Sequence, residues 1–176
     1  PATGDFVWRG LPAAFRKPWD AWLTRHIAPL QREGTSFPEG GLRFRLPSGG
    51  RLAAGVITPS EDSAGRQFSL SLLLIAEGDL TPDQIDPWCD AALALDPATL
   101  APDPLWLALD ALPAPSPQGK ASGPMDLWTP EHAFTADPKP VAVLGAHEPE
   151  RLIEPMRPAH VRGSLQVHRA KPRLGG

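Results

Sequence analysis

The spacing of hydrophobic and polar residues predicts three neighbouring strands near the middle of the chain. Residues 42–46 alternate between apolar and charged side chains, as in a strand with one solvated face. Apolar runs follow at 52–58 and 68–76, and the second is so nearly continuous that it indicates a central strand covered on both faces. Turn residues at 47–50 and 59–65 separate the runs, so the three strands predict an antiparallel meander.

Apolar residues at steps of three and four predict helices on either side of these strands. The longest such pattern lies between residues 13 and 33, where Pro18 suits the first turn of the main part and Pro29 is expected to end or kink the helix. A second helix is expected to begin after Thr81, a favourable N-cap residue that is followed by a proline, and a third short helix covers 102–112. The apolar positions of the first helix are Phe15, Trp19, Trp22, Leu23, Ile27 and Leu30.

Shorter patterns complete the predicted sheet and define the fold class. Short strands are expected at 5–9, 125–129, 140–145 and 164–169, and a last turn or two of helix at 148–156. Together these elements predict an α+β fold, with a mostly antiparallel sheet of about five to six strands and helices on both faces. This arrangement is compatible with a longin-like or profilin-like α/β/α sandwich.

The length and the charge distribution predict one domain with a distinct tail. A chain of 176 residues can bury a sizeable core, and we expect one globular domain over 1–156. Acidic residues dominate from 67 to 154, whereas the charged residues of 157–176 are all basic. We expect this basic C-terminal tail to add a strand to the same sheet or to a neighbouring chain. The net charge of −3 gives no electrostatic reason to expect nucleic acid as a partner.

The number of cysteines and the hydropathy of the chain bear on where the protein is located in the cell. Cys89 is the only cysteine, which fits a reducing environment. No apolar run approaches the roughly 20 residues that a membrane helix needs. We therefore expect a cytoplasmic protein without direct membrane insertion.

Two short stretches, 4–12 and 59–68, combine glycine, proline and opposite charges with apolar residues. Glycine adopts backbone conformations that other residues disfavour, and proline fixes φ. Both stretches therefore predict corners, which are tight changes of chain direction in a rigid scaffold. Because aspartate is disfavoured in strands and arginine is rarely buried unpaired, we hypothesise that Asp5 and Arg66 form a partly buried bidentate ion pair between the corners. Two independent surface charges are the alternative.

Few residue patterns suggest catalysis or a bound cofactor. The five histidines include no pair at the i, i+3 or i, i+4 spacing that zinc sites often use, and no glycine-rich phosphate motif occurs. Ser60 lies beside Asp62 on the expected corner, so these two residues and a distant histidine could serve a small hydrolase. The preferred alternative is that both side chains hydrogen-bond their own backbone, as such residues do at turns. We therefore expect a protein that is not an enzyme and that holds no metal and no cofactor.

The same stretches resemble the TagF family of type VI secretion-associated proteins. The resemblance rests on Gly-Asp-Phe-x-x-Arg-Gly-Leu-Pro at 4–12, Trp-Asp-x-Trp-Leu at 19–23 and Gly-Val-x-x-Pro-Ser-x-Asp-x-x-Gly-Arg-x-Phe at 55–68. It covers about 1–95, while Ser69 replaces a proline common in the family and the basic tail is not a family feature. The motif residues with a structural role are Gly4, Asp5, Phe6, Trp19, Trp22, Pro59, Asp62, Gly65 and Arg66.

The resemblance implies a non-enzymatic cytoplasmic regulator that represses assembly of the type VI secretion machine after translation. It implies that the protein acts by binding a scaffold protein with a forkhead-associated domain. The alternatives are the small hydrolase and a structural adaptor unrelated to secretion. We expect partner contacts among residues that the fold does not require, namely Trp8, Arg9, Glu61, Asp83, Asp86 and Asp90.

Overall fold

The described part of the computed structural model is a six-stranded antiparallel sheet with helices on both faces. The description covers residues 8–11, 13–32, 37–48, 50–61, 65–130 and 163–169. The strands are β1 (Trp8–Arg9), β2 (Leu42–Ser48), β3 (Arg51–Glu61), β4 (Gln67–Ala76), β5 (Asp126–Trp128) and β6 (Gly163–Arg169). The helices are α1 (Ala13–His26), α2 (Ala28–Arg32), α3 (Pro82–Leu93) and α4 (Pro102–Asp110). The strand order is β1-β6-β4-β3-β2-β5, and every neighbouring pair is antiparallel, so the predicted fold class is confirmed.

Strands β2, β3 and β4 form the predicted meander at the centre of the sheet. β2 and β3 pair as far as Ser48 and Arg51, so the turn between them is two residues long, and Gly50 within it has a φ of 83°. Glycine suits this turn because other residues are strained at positive φ. β4 is buried along nearly its whole length, which confirms that the continuous apolar run marks a central strand.

Strand β3 extends further than its sequence pattern indicated. The predicted corner begins at Pro59, whereas Pro59, Ser60 and Glu61 still belong to β3 and pair with the first residues of β4. The prediction was wrong because proline normally disfavours a strand interior. Here β2 begins only opposite Ile57, so β3 has no described strand on its other side at Pro59, and proline is tolerated there as on an edge strand.

Helix α1 runs through a proline and stops before the next one. The sequence had predicted Pro18 in the first turn of the main part of this helix. The helix begins at Ala13, however, and Pro18 lies inside it. An internal proline costs a backbone hydrogen bond, but the adjacent Trp19 is fully buried and contributes a large apolar area that offsets this cost. The break at Ile27 and the start of α2 next to Pro29 confirm the predicted kink.

The sheet separates two hydrophobic cores. Phe44 and Leu46 of β2 face α1, where Phe44 packs against Trp19 with ring centroids 4.7 Å apart. On the opposite face, residues such as Leu72 of β4 pack beneath Ile85 of α3 and the buried face of α4. Since strand side chains alternate between faces, one set of strands serves both cores.

The start of α3 follows its sequence signals. Thr81 is the N-cap and Pro82 is the first helical residue, as predicted. The backbone N–H of Thr81 donates to Gln84 Oε1 at 2.9 Å, which is one half of a capping box. The side chains that α3 buries are Ile85, Trp88, Cys89 and Ala92.

Strand β6 lies inside the sheet, between β1 and β4. Its register places Leu165 opposite Leu72 of β4. The strand expected over 164–169 therefore pairs with the sheet of its own chain. The strand expected at 140–145 and the helix at 148–156 lie outside the described residues.

Candidate interaction surface

Two arginines of β2 are shielded from solvent, Arg43 beneath α3 and Arg45 beside the segment that precedes α3. The alternation of Arg43 and Arg45 with apolar residues predicted a solvated face. That prediction was wrong, because α3 packs over this face of β2 and only 3% of Arg43 remains exposed. A period of two shows which side chains share a face, but not whether another layer covers that face.

Arg43 of β2 joins α3 to the sheet through two carboxylates. Its Nη1 lies 2.7 Å from Asp86 Oδ1, and its Nη2 donates to Asp90 Oδ1 at 2.5 Å. Asp86 also accepts a hydrogen bond from Trp128 Nε1 at 2.8 Å. Burial disfavours the charged guanidinium, but the hydrogen bond and charge of Asp86 and the charge of Asp90 outweigh burial and raise the pKa of Arg43. We refer to Arg43, Asp86, Asp90 and Trp128 as the Arg43 cluster.

A second group of ion pairs lies beside the Arg43 cluster. Arg45 Nη1 donates to Asp126 Oδ2 at 2.9 Å, and its Nη2 contacts Asp79 Oδ1. Arg51 at the start of β3 pairs with Glu77 at 3.0 Å. These contacts join β2 and β3 to β5 and to the segment that precedes α3. Many of the acidic residues that the sequence places in this region therefore have basic partners from the sheet.

The three aspartates of α3 that were predicted to contact a partner are in different environments. Asp83 is exposed. Asp86 and Asp90 both pair with Arg43, although the side chain of Asp90 is still 66% exposed and that of Asp86 33%. Part of their charge is therefore neutralised within the chain, and a role in partner binding stays a prediction for all three.

The layer formed by α3 and α4 presents an acidic surface. Between residues 67 and 119 the sequence contains no lysine or arginine. On α4, the side chain of Leu107 is 60% exposed and lies about one helical turn from both Asp103 and Asp110. The acidic residues of this stretch are Glu77, Asp79, Asp83, Asp86, Asp90, Asp96, Asp103 and Asp110.

The first described strand is attached to this acidic layer. Arg9 Nε donates to Asp103 Oδ1 at 2.5 Å, and the two side chains are 39% and 69% exposed. An exposed pair of this kind contributes at most about 1 kcal/mol, so it orients β1 and α4 more than it stabilises them. The backbone of Trp8 pairs with Gln166 of β6. Partner binding by Trp8 and Arg9 stays a prediction.

A groove of about 480 Å³ lies at the end of β3, where the sequence suggested a corner. Ser60 is buried within it, and the Ser60 Oγ has no hydrogen-bond partner among the described residues. Glu61, one of the predicted contact residues, is exposed at its rim. We call this the β3-end groove; it is lined by Gln31, Phe37, Pro59, Ser60, Glu61, Gln67 and Ala98.

The remaining motif residues are partly described. Trp19 is fully buried and stacks on Trp22 with ring centroids 5.1 Å apart, so both contribute to the core. Gly65 has a φ of 73°, which explains a glycine at that position, and Arg66 is exposed. The motif residues outside the described ranges are Gly4, Asp5, Phe6 and Asp62. The pairing of Asp5 with Arg66 therefore stays a prediction, but the partial burial expected of Arg66 was wrong.

Cys89 is a core residue. Burial beneath the sheet raises the pKa of its thiol well above the ordinary value, so the thiol stays neutral. Within the described ranges, no three histidine, cysteine or acidic side chains come together as ligands of a metal ion would. None of the helices in that part of the chain has the length and apolar content of a membrane span.

The fold and the ion pairs define an α+β scaffold whose acidic outer layer is fastened to a central sheet. A family model described as the TagF N-terminal domain, type VI secretion system-associated, matches residues 1–103. This match covers more than half of the chain. The chain therefore belongs to the TagF family and is a type VI secretion-associated protein. No curated protein and no solved structure matches the chain, and the longin-like or profilin-like layout stays a prediction.

Proposed function

We propose that this chain is a non-enzymatic cytoplasmic repressor of type VI secretion assembly, which acts by binding a scaffold protein with a forkhead-associated domain. The TagF match supports the connection with secretion. Binding is further supported by the ion pairs of Arg43 and Arg45, which fix the outer layer on the sheet and so give a rigid scaffold. A rigid scaffold loses little conformational freedom when a partner binds anywhere on its surface.

A hydrolase centred on Ser60 has less support. A nucleophilic serine needs a base within hydrogen-bond reach. The described residues that line the β3-end groove include Gln31 and Glu61 but no histidine. His26, whose side chain is described, lies in α1 with its ring 5.4 Å from that of Trp22.

The direct test is a binding measurement between the purified chain and the purified forkhead-associated scaffold protein from the same bacterium. Titration calorimetry is expected to give saturable binding. A forkhead-associated domain from an unrelated signalling protein is the control and is expected not to bind. Failure of the cognate scaffold to bind under these conditions would contradict the proposal.

A second experiment separates a repressor from an adaptor. The chain is overproduced in the bacterium, and assembled secretion machines are counted by fluorescence microscopy with a labelled sheath component. We expect their number to fall while the amounts of the component proteins stay constant, because the proposed control acts after translation. Binding without any change in assembly would instead support the structural adaptor.

A further inference from the structure

The β3-end groove lies where β3 has a described strand neighbour on one side only. β2 pairs with β3 only as far as Leu42 opposite Ile57, so residues 58–61 have β4 as their one described strand neighbour. An uncovered strand edge can accept another extended segment. Proline at 59 offers no N–H, so such a segment would rely more on the side chains around the edge.

The groove contains a buried polar group that has no hydrogen-bond partner in the part of the chain that the structure describes. Ser60 is 9% exposed, and its Oγ has no hydrogen-bond partner among the described residues. Buried hydroxyl groups nearly always have a partner, because leaving one unpaired is unfavourable. A hydroxyl group both donates and accepts, so a ligand with peptide groups would satisfy Ser60 in either orientation.

The rest of the lining indicates what kind of segment would fit. Phe37 and Pro59 provide apolar surface, and Gln67 adds an exposed amide that can bond to a main chain. Glu61 is the one charged residue of the described lining. An acid at the rim favours a lysine or arginine on the incoming segment.

We propose that the β3-end groove binds an extended segment of the partner protein. The segment places an apolar residue against Phe37 and Pro59, a main-chain group at Ser60 Oγ, and a basic side chain beside Glu61. This inference rests on the proposed function, since it assigns the site at which the partner binds. The groove volume lies within the range of ordinary ligand sites, which suits a few residues of an extended peptide.

The first test compares two charge reversals in the full chain, with the cognate forkhead-associated scaffold as the probe. Glu61→Arg is expected to weaken binding about tenfold or more, because it places like charges together. Asp110→Arg makes the same charge change on the exposed face of α4 and is expected to leave the affinity within about twofold, since binding is proposed at the other site. Ser60→Ala is expected to weaken binding about three- to tenfold, the usual effect of one hydrogen bond, without lowering the unfolding temperature.

The second test locates the partner directly. Cys89 is buried, so a cysteine introduced at the exposed Gln67 can be labelled selectively with a benzophenone maleimide. Illumination of the labelled Gln67→Cys variant with the scaffold is expected to give a cross-linked product. Asp110→Cys, labelled in the same way, is expected to give none.

The outcomes distinguish the two proposals. If the native chain does not bind the scaffold, both the proposed function and the assignment of this partner to the groove are wrong. If the native chain binds, but Glu61→Arg and Ser60→Ala bind equally well, the groove assignment alone is overturned. Equal cross-linking from positions 67 and 110 would also overturn the groove assignment.

Discussion

Replacing Arg43 by alanine is the most direct test of how the acidic layer is held on the sheet. Arg43 is almost fully buried and meets two carboxylates of α3. Removing it leaves Asp86 with the hydrogen bond from Trp128 and leaves Asp90 to the solvent. The cost therefore depends on how well each carboxylate can be hydrated again.

The two contacts of Arg43 are expected to contribute unequally. The bond to Asp86 is charge-assisted and mostly shielded, so its loss is expected to cost about 1.5–3 kcal/mol. The side chain of Asp90 is 66% exposed, and its contact is screened by water and worth about 0–1 kcal/mol. We expect Arg43→Ala to lower the free energy of unfolding by about 1.5–4 kcal/mol, a large part of the 5–15 kcal/mol typical of a domain.

Urea unfolding followed by tryptophan fluorescence would measure this loss, since the chain has six tryptophans. Arg43→Met keeps most of the side-chain volume and is expected to lose about 1–2 kcal/mol less than Arg43→Ala, which separates packing from charge. Arg25→Ala removes an exposed arginine from α1 and is expected to change stability by less than about 0.5 kcal/mol.

The dependence of the Arg43→Ala effect on salt concentration distinguishes a buried ion pair from an exposed one. In about 1 M NaCl exposed ion pairs are almost fully screened, whereas shielded pairs are screened much less. We expect the cost of Arg43→Ala to persist under these conditions. A cost below about 1 kcal/mol, or one that disappears in salt, would refute the role assigned to the Arg43 cluster.

Three further substitutions test other parts of the fold. Gly55→Ala would place a Cβ 2.1 Å from the backbone oxygen of Leu72, and it is expected to cost about 1–3 kcal/mol or more in thermal unfolding; a native unfolding temperature would show that the strands can move apart. Because the folded state raises the pKa of the Cys89 thiol, stability should fall as the pH rises above the unfolded value of about 8.5, and Cys89→Ala should flatten that decline in urea titrations. Arg66 is exposed, so Arg66→Ala is expected to cost less than about 1 kcal/mol, whereas a loss of about 3–5 kcal/mol would show that Arg66 forms a shielded pair with Asp5.

Features governed by local sequence could be predicted well. The apolar run of β4, the N-cap at Thr81 and the break before Pro29 each depend on neighbouring residues, and the structure confirms all three. Pro18 and Pro59 were misplaced because their local preferences are overridden. Tertiary packing retains Pro18 inside a helix, and the late start of β2 allows Pro59 inside a strand.

Features that depend on distant residues could not be predicted. The alternation around Arg43 correctly predicted which side chains share a face of β2. Only the position of α3 shows that the face with Arg43 is covered. The i, i+4 spacing of Asp86 and Asp90 was the available signal, because it places two acids on one face of a helix. The β3-end groove was missed for the same reason, since its lining combines α2, β3, β4 and the segments before β2 and α4.

The position of β6 between β1 and β4 determines when the sheet can be completed during synthesis. Trp8 pairs with Gln166, so β1 must wait for a strand that is synthesised long after it. Until then, β4 lacks the neighbour that joins it to β1, and an apolar edge is open to aggregation or to a chaperone. A nascent chain halted before residue 163 would therefore hold the meander and its helices, but β1 would have no strand to pair with.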